Sequence, residues 1–223
     1  MENISTQSQT QRKDDIIFNV VLLKNSSTLN FLQDIVTKDT YKWAMIRDLF
    51  KGKKDVRLTL VDRCAETPFQ CLLLAKLCKQ LEEELEFSYG SMKIELSNLK
   101  RENPGTRVTA DGKFDTTANR NEFLASCIET VVGCRAKIVS KRHLVRSRDI
   151  RLTSDEFTLI IRVHEGITRG WQIADNYIAA MPAYDILNFH EHDIPCRNWF
   201  INCNDKSGIW IGIELQPTQT QRL

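Results

Sequence analysis

The chain has 223 residues, of which 42% are hydrophobic and 27% charged, and its formal net charge is +2. This length and composition exclude a wholly disordered chain and suit one large domain or two small ones. No apolar run approaches the roughly 18 residues of a membrane-spanning helix, and no signal-peptide pattern is found, so we expect the protein to stay on the cytosolic side of the membrane. We therefore also expect its seven cysteines to be reduced.

The two ends of the chain are polar. Residues 1–14 are rich in Gln, Ser, Thr and Asn and predict a disordered N-terminal arm. Residues 218–223 have a similar composition and predict a flexible tail. Between these ends, residues 15–217 are predicted to form a single globular α+β domain.

The first predicted elements are a strand, a helical region and a second strand. The β-branched run at residues 16–23 is typical of a buried strand. Apolar residues recur at helical intervals from residue 29 to residue 50, and Gly52 is expected to end this helical pattern. The alternation of apolar and polar residues at 56–61 then predicts a half-buried strand.

The strongest helix signal follows this strand. Thr67, Pro68 and Gln70 provide an N-cap, a first-turn proline and a capping-box partner. The predicted buried stripe comprises Cys71, Leu74, Cys78, Leu81 and Leu85. The helix ends in an acidic cluster that its dipole disfavours by about 0.3–1 kcal/mol, comprising Glu82, Glu83, Glu84 and Glu86. We interpret this cluster as a solvated surface, with a contact to a basic partner as the alternative.

A long polar loop divides the chain. A short strand is predicted at residues 92–96, and the loop 98–119 contains proline and glycine but few large apolar residues. Loops of this length are uncommon inside compact domains. The loop is therefore also the predicted boundary between two halves of the domain, 15–97 and 120–217.

The second half is predicted to contain two helices with strands between them. Asn119 is expected to cap a helix that ends at Gly133. Residues 157–163 predict a strand, and the spacing of apolar residues from Trp171 onward predicts another helix. A strand or loop is expected between Gly133 and residue 157.

The chain is predicted to close in a β-hairpin. Its strands are residues 199–203 and 209–215, and apolar residues alternate cleanly in the second strand. Together the predicted elements indicate an α+β fold, with a mixed or antiparallel sheet packed with several helices and a C-terminal β-hairpin.

The charge is unevenly distributed, and one stretch is strongly basic. Between residues 135 and 151 the only acid is Asp149, and the cations are Arg135, Lys137, Lys141, Arg142, Arg146, Arg148 and Arg151. Such a stretch can neutralise the phosphates of RNA, or lie on anionic lipid with about 1 kcal/mol per cation. A merely solvated basic surface is the alternative.

No pattern of local spacing indicates an active site. Phosphate-loop, dinucleotide, nucleophile-elbow and His-Glu-x-x-His motifs are absent, so we expect no catalysis, no cofactor and no small-molecule substrate. The single metal candidate is a set of zinc-type ligands near the C-terminus, His190, His192, Cys196 and Cys203. Their spacing matches no compact zinc knuckle, and we interpret the histidines as surface or hydrogen-bonded residues.

The C-terminal segment resembles the closing hairpin of rhabdovirus matrix proteins. In that family an aliphatic strand, a polar turn with Lys and Ser, a small residue and a Trp end the fold. The corresponding parts here are 200–203, 205–207, Gly208 and Trp210, and the strand 157–163 lies at about the family's distance upstream. The lysine-rich arm and the Pro-Pro-x-Tyr motif that many animal-virus members carry are missing.

This resemblance implies a virion structural protein that self-associates, condenses the helical nucleoprotein and contacts the inner face of an envelope. It implies a location in the virion and the host cytoplasm, at the membrane periphery, with the nucleus as a further compartment. The basic stretch would then meet the ribonucleoprotein or anionic lipid. One alternative is a plant-virus movement protein, because Asp62 ends a predicted strand, as an aspartate does in the movement-protein superfamily. Another alternative is an RNA-binding silencing suppressor or regulatory protein that uses the same basic stretch.

Overall fold

The structure is a computed structural model, and the residues it describes are 18–20, 36, 39–63, 65–100, 102, 104–105, 113–142, 144, 148–163, 171–173, 196–198 and 209–215. Three helices and nine strands lie within these ranges. The predicted arm 1–14 and tail 218–223 lie outside them.

The helices are α1 (Thr40–Phe50), α2 (Pro68–Glu84) and α3 (Thr117–Val132). The strands are β1 (Phe18–Val20), β2 (Val56–Asp62), β3 (Tyr89–Ser97), β4 (Ala136–Lys141), β5 (Asp149–Thr153), β6 (Phe157–Val163), β7 (Trp171–Ile173), β8 (Cys196–Asn198) and β9 (Ile209–Leu215). Over the described ranges, no helix combines the length and apolar character needed to cross a bilayer.

Seven strands form one mixed sheet, which confirms the predicted α+β class. The strand order is β1-β9-β6-β5-β2-β3-β4, while β7 and β8 pair antiparallel in a separate two-stranded sheet. The neighbours β2, β3 and β4 run parallel, and all other neighbours in the large sheet run antiparallel. Both predicted halves contribute strands to this sheet, since β2 lies beside β5.

The parallel strands explain where the helices lie. Parallel neighbours need a crossover connection, which α2 supplies between β2 and β3 and α3 supplies between β3 and β4. Because crossovers of this kind are right-handed and both proceed in the same direction across the sheet, both helices cover the same face. Apolar residues from α1, α2, α3 and five strands of the sheet form one buried core beneath them.

Helix α1 packs onto this core through its aromatic residues. The ring of Phe50 lies 5.7 Å from that of Phe87 and 5.0 Å from that of Phe157, which begins β6. The helix begins after Asp39, whose side chain accepts a hydrogen bond from the Lys42 amide, so the helical pattern predicted from residue 29 is interrupted there. Of the residues upstream of Asp39 in that pattern, only Val36 is described.

Helix α2 has the predicted cap and the predicted buried stripe. The Thr67 hydroxyl accepts from the Gln70 amide at 3.2 Å, and the Gln70 side chain accepts from the Thr67 amide at 3.1 Å. The stripe residues Cys71, Leu74, Cys78, Leu81 and Leu85 are all fully buried. These features were predictable because both depend only on residues within a few positions of one another.

Helix α3 begins earlier than predicted. Its N-cap is Thr116, whose hydroxyl accepts from the Asn119 amide at 3.2 Å, so the prediction of Asn119 as the cap was wrong. The Asn119 side chain instead donates to the Asp115 carboxylate at 2.7 Å. Gly133 ends the helix in a left-handed conformation with φ 78°, which confirms the predicted end and explains the glycine.

The C-terminal part of the chain matches the prediction only in places. Strand β6 has the predicted bounds, but residues 171–173 form a strand paired with β8, so the helix predicted to begin at Trp171 was wrong there. Pairing with a distant strand outweighs the helical spacing of the local sequence. Strand β9 spans the predicted 209–215, while its predicted hairpin partner, 199–203, lies outside the described residues.

Candidate binding face

The two faces of the large sheet differ in composition. Along β2 the side chains of Val56, Leu58 and Leu60 are buried beneath the helices, whereas Arg57 and Thr59 point to the other side. Residues directly paired between strands share a face, so the register extends this division to the neighbouring strands. We call the side opposite the helices the charged face, and its described charged side chains are Arg57, Lys93, Glu95, Lys137, Lys141, Asp149, Arg151 and Arg162.

One part of the charged face is a carboxylate held between two lysines. Glu95 of β3 is 9% exposed in its side chain, and its two oxygens each lie 2.5 Å from an ammonium nitrogen, one of Lys93 and one of Lys141. Hydrogen bonds from Lys141 first, and then from Lys93, lower the pKa of Glu95. Both lysine side chains remain 44% exposed. We call these three residues the lysine clamp.

A second carboxylate is held between two arginines. Asp149 of β5 is 2% exposed in its side chain, and its oxygens lie 3.2 Å from Nη2 of Arg151 and 3.1 Å from Nε of Arg162. Arg162 is directly paired with Asp149 across β5 and β6, and both arginine side chains are 43% exposed. We call these three residues the arginine clamp. In each clamp two cations surround one buried acid, so each keeps a net charge of +1.

The two clamps flank strand β2. Thr59 of β2 is paired with Lys93 on one side and with Arg151 on the other. Because neighbouring strands lie about 4.8 Å apart, the strands that carry Lys93 and Arg151 are roughly 9.6 Å apart. Thr59 and Val61 are half-buried and short, so they form a floor between long cationic side chains. We call this feature the β2 groove.

The charged face carries more positive than negative side chains. In addition to the clamps it presents exposed Lys137, paired with Lys93 across β4 and β3, and exposed Arg57 near the start of β2. Six cations and two carboxylates give the described side chains of this face a formal net charge of +4.

The structure distributes the predicted basic stretch over separate elements. Lys137 and Lys141 lie on β4, one of the two edge strands of the described sheet, and Arg151 lies on β5, with β2 and β3 between them. All three belong to the charged face. Arg135 is exposed and its Nε lies 3.1 Å from the carboxylate of Glu129 on α3.

The remaining residues of that stretch lie outside the paired strands. Arg142 is exposed just after β4, and Arg148 is half-buried just before β5. Arg146 lies outside the described residues. The described cations of the run are therefore divided between the charged face and positions outside the paired strands.

Three cations of the charged face were missed in the sequence, namely Arg57, Lys93 and Arg162. Arg57 and Lys93 lie at polar positions of alternating strand sequences, which indicates that they point away from the core, whereas Arg162 lies in a mostly apolar strand. The sequence does not reveal that these strands are neighbours of β4 and β5, because strand order depends on the whole fold.

The acidic cluster at the end of α2 has partners within the chain. Glu82 lies 2.9 Å from Lys79, and Glu86 lies 2.9 Å from Lys51. Glu84 accepts a hydrogen bond from the indole nitrogen of Trp43 at 3.2 Å. Contacts within the chain therefore offset part of the unfavourable placement of these acids against the helix dipole.

A buried arginine occupies the carboxyl ends of the parallel strands. Arg120 of α3 is 1% exposed and donates to the Ser97 carbonyl at 2.6 Å and to the Ser140 hydroxyl at 2.8 Å. Its guanidinium also donates to the Asn121 side chain, and burial lowers the pKa of Arg120. In open sheets with parallel strands this end commonly holds a ligand, but here a side chain of α3 fills it and ties β3 to β4.

The metal candidates are mostly beyond the described residues. His190, His192 and Cys203 lie outside them, and Cys196 is described only through its backbone in β8. Within the part of the chain that is described, no group of three or more His, Cys, Asp or Glu residues is placed to hold a metal ion. Cys71, Cys78 and Cys127 are free and buried, in agreement with their helical spacing.

No model of a known protein family, no curated protein and no solved structure matches the chain. The resemblance of the C-terminal segment to rhabdovirus matrix proteins therefore remains a hypothesis. The charged face is the structural observation on which a function can be based.

Proposed function

We propose that the chain is an assembly protein of the matrix type, which self-associates and links a viral ribonucleoprotein to the inner surface of a membrane. The observation that carries this proposal is the charged face, whose described side chains have a formal net charge of +4, on one side of a sheet whose other side is covered by helices. Its partners would be further copies of the chain, viral nucleoprotein or RNA, and anionic lipid.

The strength of one such contact is modest. At about 1 kcal/mol for each cation near an anionic surface, a net charge of +4 gives about 4 kcal/mol. This free energy corresponds to a dissociation constant of about 1 mM. A single copy would bind weakly, whereas an array of copies would bind tightly because each additional contact becomes intramolecular.

The proposal includes a location and excludes a catalytic role. An assembly protein of this type would be found in the virion and in the host cytoplasm, peripheral to the membrane, and also in the nucleus if its virus replicates there. It would use neither a cofactor nor a small-molecule substrate, because its work consists of contacts between surfaces.

Light scattering of the full chain at several salt concentrations tests self-association. We expect concentration-dependent oligomers near 0.05 M salt that dissociate as the salt concentration is raised, because screening weakens contacts between exposed charges. A protein that stays monomeric near 0.05 M salt at every concentration would contradict the proposal.

The charged face also favours a second function, that of an RNA-binding silencing suppressor or regulatory protein. This alternative predicts tight, salt-dependent binding of RNA by monomers, without assembly. The described part of the structure adds no support for the movement-protein alternative. The residue on which that alternative depends, Asp62, is fully buried at the end of β2.

A further inference from the structure

We infer that the β2 groove binds the sugar–phosphate backbone of a single-stranded nucleic acid, with viral RNA as the natural occupant. The inference rests on the proposed function, in which the charged face meets the ribonucleoprotein. It goes further by assigning the contact to the RNA itself, by placing the strand along β2, and by adding Arg57, Lys93 and Arg162 to the binding residues.

The arrangement of charge suits a linear polyanion. Cations stand on both sides of a floor one strand wide, with Lys93 and Lys141 on one side and Arg151 and Arg162 on the other. A nucleic acid strand placed along β2 would meet positive charge on both sides. Lys137 adds a cation on β4, directly paired with Lys93, and Arg57 adds one near the start of β2.

The clamps hold the cations in position without removing their capacity to bind phosphate. An ammonium group has three donors and a guanidinium group has five, so the bonds of Lys93, Lys141 and Arg151 to the clamp carboxylates leave donors for a phosphate. Glu95 and Asp149 are nearly buried, and their bonds restrict the rotation of the long side chains around them. A phosphate would therefore meet head groups that are already ordered, which lowers the entropy lost on binding.

The groove suits a nucleic acid strand better than a membrane. A protein surface that binds lipid usually adds apolar side chains to its positive charge. Among the described residues, the one large hydrophobic side chain that is exposed is Tyr41 of α1, and the described floor residues of the groove are short. Two parallel walls of cations also match a line of phosphates rather than a plane of head groups.

The contacts are expected to involve the backbone and to be independent of sequence. Surfaces that bind single strands by their bases carry aromatic side chains on which the bases stack. No aromatic side chain is described at the positions of the charged face on β2, β3, β4, β5 and β6, which carry the groove and both clamps; Trp210 of β9 is paired with Arg162, on the far side of the arginine clamp from the groove. Affinity should therefore depend steeply on salt and little on base composition.

The test is the binding of a fluorescently labelled oligouridylate to the full chain, measured by anisotropy between 0.05 and 0.2 M salt. If the net charge of +4 on the described side chains is the number of phosphates neutralised, the slope of log affinity against log salt is about −2.8, a loss of about 50-fold over this range. Lys137→Gln removes one cation without breaking a clamp and should reduce the slope to about −2.1. Thr59→Glu places a carboxylate in the middle of the floor and should weaken binding at least about tenfold.

Lys79→Gln is the matched control, because it removes the same charge from α2 on the helix-covered side. It should leave the slope unchanged. The inference is overturned if Thr59→Glu binds as tightly as the unaltered chain while keeping its circular dichroism spectrum, or if Lys79→Gln and Lys137→Gln change the slope equally. Duplex RNA that competes as well as the single strand would also overturn it.

Vesicles of phosphatidylcholine with phosphatidylserine separate this inference from the proposed function. If Lys137→Gln and Thr59→Glu weaken vesicle binding but not RNA binding, the charged face meets lipid, and the inference fails while the proposed function survives. If the unaltered chain binds neither RNA nor vesicles and does not self-associate, the proposed function fails as well. Weaker RNA binding by both variants with unchanged vesicle binding supports the inference.

Discussion

Replacing Glu95 by Gln should make the protein less stable and at the same time make its RNA binding more dependent on salt. Glu95 is 9% exposed, and its carboxylate forms two ion pairs with lysines that are 44% exposed. Half-exposed pairs of this kind contribute about 0.2–1 kcal/mol each, so losing both should lower the free energy of unfolding by about 1 kcal/mol at pH 7.

The stability difference should depend on pH in a defined direction. The two lysines lower the pKa of Glu95 in the folded protein below its unfolded value of about 4.3. A carboxylate with a lowered pKa stabilises the fold above the unfolded pKa, and this stabilisation is lost as the pH falls through the folded pKa. The difference between the unaltered chain and Glu95→Gln should therefore be fully present at pH 7 and disappear well below pH 4.

The same variant raises the net charge of the described side chains of the charged face from +4 to +5. The slope of log affinity for oligouridylate against log salt should change from about −2.8 to about −3.5. Urea unfolding at several pH values and anisotropy titrations measure the two effects. Glu129→Gln is the control, because it makes the same change of charge on α3, away from this face. An equal change of the RNA slope in both variants, or a stability difference that does not vary with pH, would refute the reasoning.

Two further predictions concern the core. Arg120→Met should lower the free energy of unfolding by about 3 kcal/mol, because it leaves the Ser97 carbonyl without its charged donor. The control Arg142→Met, at an exposed position, should change the free energy of unfolding by less than about 0.5 kcal/mol. Equal urea midpoints for the two variants would contradict the assigned hydrogen bonds. Maleimide should modify half-buried Cys134 before Cys127, because burial raises the pKa of Cys127 to about 12. Peptide mapping at several labelling times measures the two rates. Equal labelling rates in the native protein would contradict the packing of α3.

The features that were predictable from the sequence are those set by neighbouring residues. The capping box of Thr67 and Gln70 and the glycine that ends α3 depend on local hydrogen bonds and on backbone conformation. The N-cap of α3 was missed because Thr116 and Asn119 are both good capping residues three positions apart. In the structure Thr116 is the cap and the side chain of Asn119 contacts Asp115, and the sequence does not show that contact.

The charged face was only partly predictable, because it depends on the order of the strands. Alternation along β2 indicated that Arg57 points away from the core. The chain passes from edge strand β4 to interior strand β5 across two other strands, so a run of cations in the sequence is divided in space. Lys93 completes the face from β3, and it lies 42 residues before Arg135, the first of the predicted basic residues along the chain.

Lysine footprinting is the most direct test of the central claim that the charged face is the binding surface. The full chain is acetylated with and without oligouridylate, and the modified lysines are quantified by mass spectrometry. We predict that RNA protects Lys93, Lys137 and Lys141, whereas Lys42 and Lys79, on the helix-covered side, are modified at the same rate in both samples. Protection of Lys42 and Lys79 with no protection of the three lysines on β3 and β4 would contradict the claim.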